Sequence, residues 1–325
     1  MDPKISKIMS GGDTFAAYNR LGIDAFPIRV SYYCQGLVSG ASLTMNFPEK
    51  DVTGGGIFAG WNGPDEFGRI WFRGAYVGGD VKTWKDLEKY TPAEDWEKRC
   101  PPDLVRQAKA KYPDKAFGCH VHLGPFENAM ESMGFLDFFM GLHRNRDFIR
   151  EIIRRRTDWI INCFQYVESL GADYIVMGDD VAYKNNTFVS PKDLDELAFP
   201  YYRRIVSSVK IPVIWHSDGY VERLVGKAID TGFKGLHPIE ENGGNHLGKI
   251  KENYGQQIAL IGNVNALTVL TKPDLAAVRA DVDRCMDQAK AHGGYILATS
   301  NSAHFATCPE AISEMYSYGK KVSWY

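Results

Sequence analysis

"IPVIWHSDG", residues Ile211 to Gly219, decides how this chain is to be read. An apolar run of β-branched and aromatic residues stops at His216, Ser217 and Asp218, and Gly219 closes the turn. Short runs that are apolar in the middle and polar at the C-terminal end are the signature of parallel strands covered by helices. Stretches of the same form occur at Ala25–Tyr33, Ala116–Leu123, Asp173–Asp180, Gly232–Glu240, Ile258–Asn265 and Gly294–Asn301.

Between these runs lie helical patterns with recognisable starts. Ser190, Pro191 and Asp193 open "SPKDLDELAFPYYRRIVSSV", with Ser190 as N-cap and Asp193 as its reciprocal partner. Thr91, Pro92 and Glu94 predict a second start, and Thr271 with Asp274 a third. Helices alternating with buried parallel strands predict a (β/α)8 TIM barrel spanning residues 1–325 as a single domain. Seven strands can be named and the eighth is not located. The glycine- and aromatic-rich stretch from Asn46 to Gly79 reads as an insertion carrying a β-hairpin, after an N-terminal extension. A doubly wound open sheet is the competing architecture. It is disfavoured because no GxGxxG follows a strand, and the glycines at Gly54–Gly56 precede no helix.

Composition narrows the function classes. The chain has 325 residues, 44% of them hydrophobic, and a formal charge of -2, so no broad basic field awaits a nucleic acid. No apolar segment reaches the ~20 residues needed to span a bilayer. The N-terminus lacks the apolar core of a secretion signal, and a cytoplasmic location is the expectation. Six cysteines without regular spacing do not read as a disulfide scaffold. Arg154, Arg155 and Arg156 sit in a helical pattern and read as a solvated or ion-paired face.

In a (β/α)8 barrel the chemistry sits at the C-terminal rim. Polar residues gather at these strand ends: Arg29, His120, His122, Asp179, Asp180, His216, Asp218, His237, Glu240, Asn263 and Asn301, followed by His304 and Cys308. His216 and Asp218, two apart on an extended segment, point to one side and can address one ion. Asp218 has three readings: a direct ligand, a partner that orients His216, or a cap of the next helix. Glu240 offers an oxygen ligand or a general acid/base. Cys308 stands at a helix start, where the thiolate is favoured. His216, Glu240 and Cys308 form an N/O/S set that zinc accepts, leaving a position for substrate. His120 and His122 share a strand face and are candidates for aligning substrate, with Asp179 and Asn263 shaping the pocket. No GxSxG elbow, P-loop or kinase motif is present.

The segments "DEFGRIW", "GPFENAMESMGFLDFFMGL", "VIWHSDG", "GFKGLHPIEENGG", "IALIGNVNA" and "GGYILATSNSAH" together resemble the uroporphyrinogen decarboxylase superfamily, from about Phe26 to Tyr316. The resemblance implies a (β/α)8 barrel with its cleft at the C-terminal mouth. It implies one of two chemistries, tetrapyrrole decarboxylation or zinc-dependent methyl transfer with cobamide. The opening "FPIRVSYYCQG" keeps Arg29 but not the arginine-rich segment of the decarboxylases, and Asp65 lies in a different segment from their aspartate. The methyltransferase branch carries His-x-Cys where this chain has His216 and Asp218, and a late cysteine for which Cys308 is the counterpart.

The resulting expectation is a methyltransferase moving a methyl group from a small methoxylated compound to Co(I) of a cobamide on a corrinoid protein. One zinc ion, with ligands drawn from His216, Asp218, Glu240 and Cys308, would polarise the leaving group. His120, His122, Asp179 and Asn263 carry catalytic roles in this expectation. Arg29, Asp65, Asp180, His237, Asn301 and His304 contact substrate. A homodimer, without nucleic acid or membrane, is the assembly envisaged. A metal-independent decarboxylase and a non-catalytic corrinoid- or tetrapyrrole-binding protein are the alternatives.

Overall fold

The structure is a computed structural model that describes residues 14–29, 62–73, 75–303 and 306–323. Every strand expected from the apolar runs is present, each lying within its run. They are β1 (Ala25–Arg29), β2 (Ala116–Val121), β3 (Tyr174–Gly178), β4 (Val213–His216), β5 (Gly235–His237), β6 (Ala259–Val264) and β7 (Tyr295–Thr299). At the C-terminal ends, residues just past the ladder include Asp180, Asp218, Glu240 and Asn301, which form the rim.

These seven strands pair in parallel and in chain order in one sheet, with helices in every crossover. This is the (β/α) barrel architecture. Among the described residues β1 and β7 are the edges of the sheet, and no eighth strand joins them. Trp215 of β4 anchors the outer layer, fully buried between Phe199, Tyr202 and Phe233, with its ring stacked on Phe233 at 5.7 Å. Burying Phe233 alone is worth roughly 1.5–3 kcal/mol. Trp215 faces the helices, so the alternation along β4 turns Ile214 and His216 to the opposite side.

The helix starts divide. Ser190 caps Pro191–Leu197, its hydroxyl accepting from the Asp193 amide at 3.2 Å. The expected single helix breaks at Ala198 and resumes over Phe199–Val206, because Pro200 has no N–H to donate and crowds the preceding turn. Asp274, not Thr271, caps Leu275–Ala289; the Thr271 hydroxyl donates back to Leu267 O. Thr91 likewise donates to Leu87 O, and the next helix starts only at Trp96.

The insertion contains a three-stranded antiparallel ribbon, Gly63–Pro64, Arg69–Phe72 and Ala75–Gly79. Residues 46–61 of the expected excursion lie outside the described residues. On the long helix Arg146–Ser169, Arg154 and Arg155 pair with Glu151, Asp158 and Glu88 as an ion-paired face. Arg156 departs from the expectation: it is buried and donates to Tyr90 O at 2.9 Å and Phe67 O at 3.3 Å, tying the ribbon to the barrel. No helix among the described residues is long and apolar enough to cross a membrane.

Candidate metal centre

Three strands bring the candidate site together on one rung of the ladder. Gly178 of β3 pairs with His216 of β4, and His216 pairs with His237 of β5. Just beyond that rung the chain supplies Asp180 and Asp218. Asp180, His216 and Asp218 each offer a ligand atom, and these atoms lie within 4.8 Å of one another.

The geometry of the three fits a divalent cation. His216 Nδ1 lies 2.6 Å from His237 Nδ1, and their rings stack at 4.9 Å. Burial first, and the neighbouring His216 second, hold His237 well below the ordinary histidine range, so it is neutral. One proton serves the two Nδ1 atoms, and with it on His216 the Nε2 lone pair is available for a metal. That Nε2 atom is 3.6 Å from Asp218 Oδ1, a buried oxygen with no hydrogen-bond partner among the described residues. Two ligands of one tetrahedral zinc stand roughly 3.3 Å apart when each bond is about 2.0–2.1 Å. Burial, with the Asp218 charge adding to it and His216 opposing, pushes the Asp180 carboxyl up to about 6. A cation among these groups would relieve the repulsion between the two carboxylates.

A surrounding layer holds the ligand atoms in place. Asp180 Oδ1 accepts from the Asp218 amide at 2.9 Å. Asn301 Nδ2 donates to Asp218 Oδ2 at 2.9 Å and to Glu240 Oε1 at 3.3 Å, and Glu240 Oε2 accepts from the Gly219 amide at 2.9 Å. Gly219 has φ +78°, and a Cβ there would come within 2.6 Å of the Tyr183 nitrogen, so this turn requires glycine. Buried Asn245, which the sequence reading did not single out, donates to Gly219 O at 2.8 Å and Glu240 O at 2.7 Å. Asparagine in a "GGN" turn after a strand is a signal that could have marked it.

Several expected site residues have other employment. Glu240 braces the Asp218–Gly219 turn and is absent from the three-residue cluster. Cys308 is also absent from it; it precedes the helix Pro309–Val322, and its thiol donates to Glu310 Oε2 at 3.0 Å. Asp180, expected to contact substrate, stands in the three-residue cluster with His216 and Asp218. Asp179, expected in the pocket, is fully buried, with its carboxylate accepting from the Phe126 and Glu127 amides at 3.0 and 2.6 Å. Asn263 is buried between Ile239 O, to which it donates at 2.9 Å, and Arg284, from which it accepts at 3.3 Å. Asp65, expected to meet substrate, accepts from the amides of Phe67 and Arg69, from Arg69 Nε and from Trp71 Nε1, and so organises the ribbon. His237 supports His216 from the next strand. His120 remains near the cluster, its ring 6.2 Å from that of His216 and 5.8 Å from that of His122. The Arg29 side chain and His304 lie outside the described residues.

The fold defines a (β/α) barrel whose candidate site lies where the strands end, and comparison with known proteins agrees with that fold. The uroporphyrinogen decarboxylase (URO-D) family profile matches residues 72–322. The chain belongs to the uroporphyrinogen decarboxylase family. Among solved structures, it is similar to a methyltransferase from Methanosarcina mazei, with a TM-score of 0.72 at 20% identity, covering 98% of this chain and 90% of that one. A B12-independent methionine synthase from Shewanella sp. W3-18-1 follows at a TM-score of 0.49 and 9% identity, covering 68% of this chain and 65% of that one. No curated protein sequence matches the chain.

Proposed function

We propose that this enzyme is a methyltransferase that takes a methyl group from a small methoxylated compound, an aryl methyl ether being the first choice. The acceptor is Co(I) of a cobamide carried by a separate corrinoid protein. The observation that carries the reading is the convergence of Asp180, His216 and Asp218 on one point at the barrel mouth. In this reading the carbon–oxygen bond would break as the Co(I) electron pair of the acceptor took the methyl carbon. The departing oxygen would keep the bonding pair of the broken carbon–oxygen bond and take a proton from solvent.

Asp180, His216 and Asp218 would hold a divalent ion, zinc in this reading. When bound, the ion supplies Lewis acidity that stabilises negative charge on the departing oxygen, an effect worth several kcal/mol. Two carboxylates and one imidazole make a harder ligand set than one containing thiolate, which suits an oxygen leaving group. His237 keeps the His216 ring in its tautomer and orientation. Asn301 and Glu240 hold the Asp218 turn, and His120 stands close enough to His216 to orient the substrate oxygen. All five described cysteines are free, which suits the reducing cytoplasm that a Co(I) acceptor requires.

The same residues weigh against decarboxylation of a tetrapyrrole. Asp180, Asp218 and Glu240 present carboxylates where a polycarboxylated substrate needs cationic donors. The test is a methyl-transfer assay with reduced cobamide and a series of methoxylated arenes, on metal-stripped protein and on protein reloaded with zinc. Transfer that requires the ion is the expected result. Decarboxylase turnover by the stripped protein would replace this reading.

A further inference from the structure

The mechanism above leaves Glu127 unused, although it is a nine-tenths buried carboxylic acid at the edge of the centre. Pro125–Met133 is the helix that follows β2, and it begins beside the end of β3. Two reciprocal contacts stitch them together. The Asp179 carboxylate accepts from the first amides of the helix, those of Phe126 and Glu127. In return, Glu127 Oε2 accepts from the Asp180 amide at 3.1 Å. Gly124, just before the helix, lets the two segments touch: a Cβ there would come within 2.4 Å of the Asp179 side chain. The Asp179 contacts hold the first turn of the helix. The Glu127 contact reaches one residue further, to the backbone of a residue in the metal cluster.

We propose that Glu127 is a positioning residue for Asp180, fixing the backbone from which that carboxylate reaches the ion. The inference rests on the metal reading given above. Partners that hold ligating groups typically govern metal affinity by about 10–100-fold when removed. Glu131 supplies an internal control. It lies one turn further along the same helix face and pairs with Arg69 at 3.0 Å, anchoring the ribbon, and among the described residues it makes no hydrogen bond to Asp180.

Chelator-competition titration with zinc, on full-length protein, compares wild type with Glu127→Ala, Glu127→Gln and Glu131→Gln, each with its thermal midpoint recorded. The expected result is zinc affinity about 10–100-fold weaker in E127A. E127Q, whose amide oxygen can still accept from Asp180, stays within about threefold of wild type, and E131Q keeps wild-type affinity despite a lower midpoint. Should E127A fail to fold, Glu127→Met fills the volume without an acceptor and takes its place. Unchanged affinity in E127A, or equal weakening in E127A and E131Q, overturns the positioning role while leaving the metal centre standing. A wild-type protein that takes up no ion overturns both.

Discussion

Asn301 Nδ2 donates to Asp218 Oδ2 at 2.9 Å, across a sequence separation of 83 residues. The contact occupies one carboxylate oxygen and leaves the other, Oδ1, turned toward His216. It predicts that Asn301→Ala weakens zinc binding by about 10–100-fold while the fold persists, since the side chain lies at the rim. Chelator competition and the far-UV circular dichroism spectrum together check it.

His237 acts on His216 through one nitrogen. His237→Phe keeps a stacked ring but removes Nδ1, so His216 loses the partner that sets its tautomer. Zinc affinity is expected to fall by about 10-fold or more, with His237→Asn, which restores a polar atom, falling less. Titration of the two variants side by side decides it.

The three-residue cluster makes a sharp statement about the late cysteine. Cys308→Ser is expected to retain one equivalent of zinc, whereas His216→Ala and Asp218→Ala lose it, with affinity down on the order of 100-fold. Elemental analysis of the purified variants reads this directly. Loss of the ion in C308S would return the thiol to the centre.

Asp65 serves architecture. Its carboxylate is the buried counterion of Arg69, with side chains 0% and 3% exposed, and it accepts from two backbone amides as well. Asp65→Ala is expected to destabilise the protein by about 3 kcal/mol, the lower end for a broken buried pair, because Arg69 keeps Glu131. Urea unfolding measures that loss, and the KM of the folded remainder is expected to stay unchanged.

On the outer helix, hydrogen bonding to Arg154 first, with Arg155 adding, holds the Glu151 carboxyl at about 2. A carboxyl depressed on folding contributes stability above its unfolded pKa and loses that contribution as pH falls toward the folded value. Glu151→Gln is therefore expected to lower the thermal midpoint at pH 7, with the gap to wild type closing from about pH 4.5 to pH 2.

Much of this was legible in the residues. All seven strands follow from apolar runs ending in polar residues, and His216 does lie near Asp218 as expected, although Asp218 stands beyond the end of β4. What the runs do not contain is the rotation of each rim residue. Asp179 and Asp180 are neighbours of identical chemistry, yet one turns back to a helix start and the other forward to the centre. Only the position of the helix at Pro125 separates them. Cys308 carries the helix-start signal correctly, but a cap residue's thiol can turn to its own helix, and here it meets Glu310. Asp65 had an acidic residue's appearance of function, while the arginine and tryptophan that occupy it lie within six positions.

The shared rung of Gly178, His216 and His237 has an evolutionary corollary. Backbone pairing sets the rung, and Asp180 and Asp218 follow two residues beyond Gly178 and His216, so a single inserted or deleted residue inside β4 would send His216 into the helical layer. Connecting segments beyond the turns that hold Asp180, Asp218–Gly219, Glu240–Asn245 and Asn301 carry no such demand. Descendants of this barrel are thus free to lengthen loops and change what they accept, while the spacing from Val213 to Asp218 stays frozen.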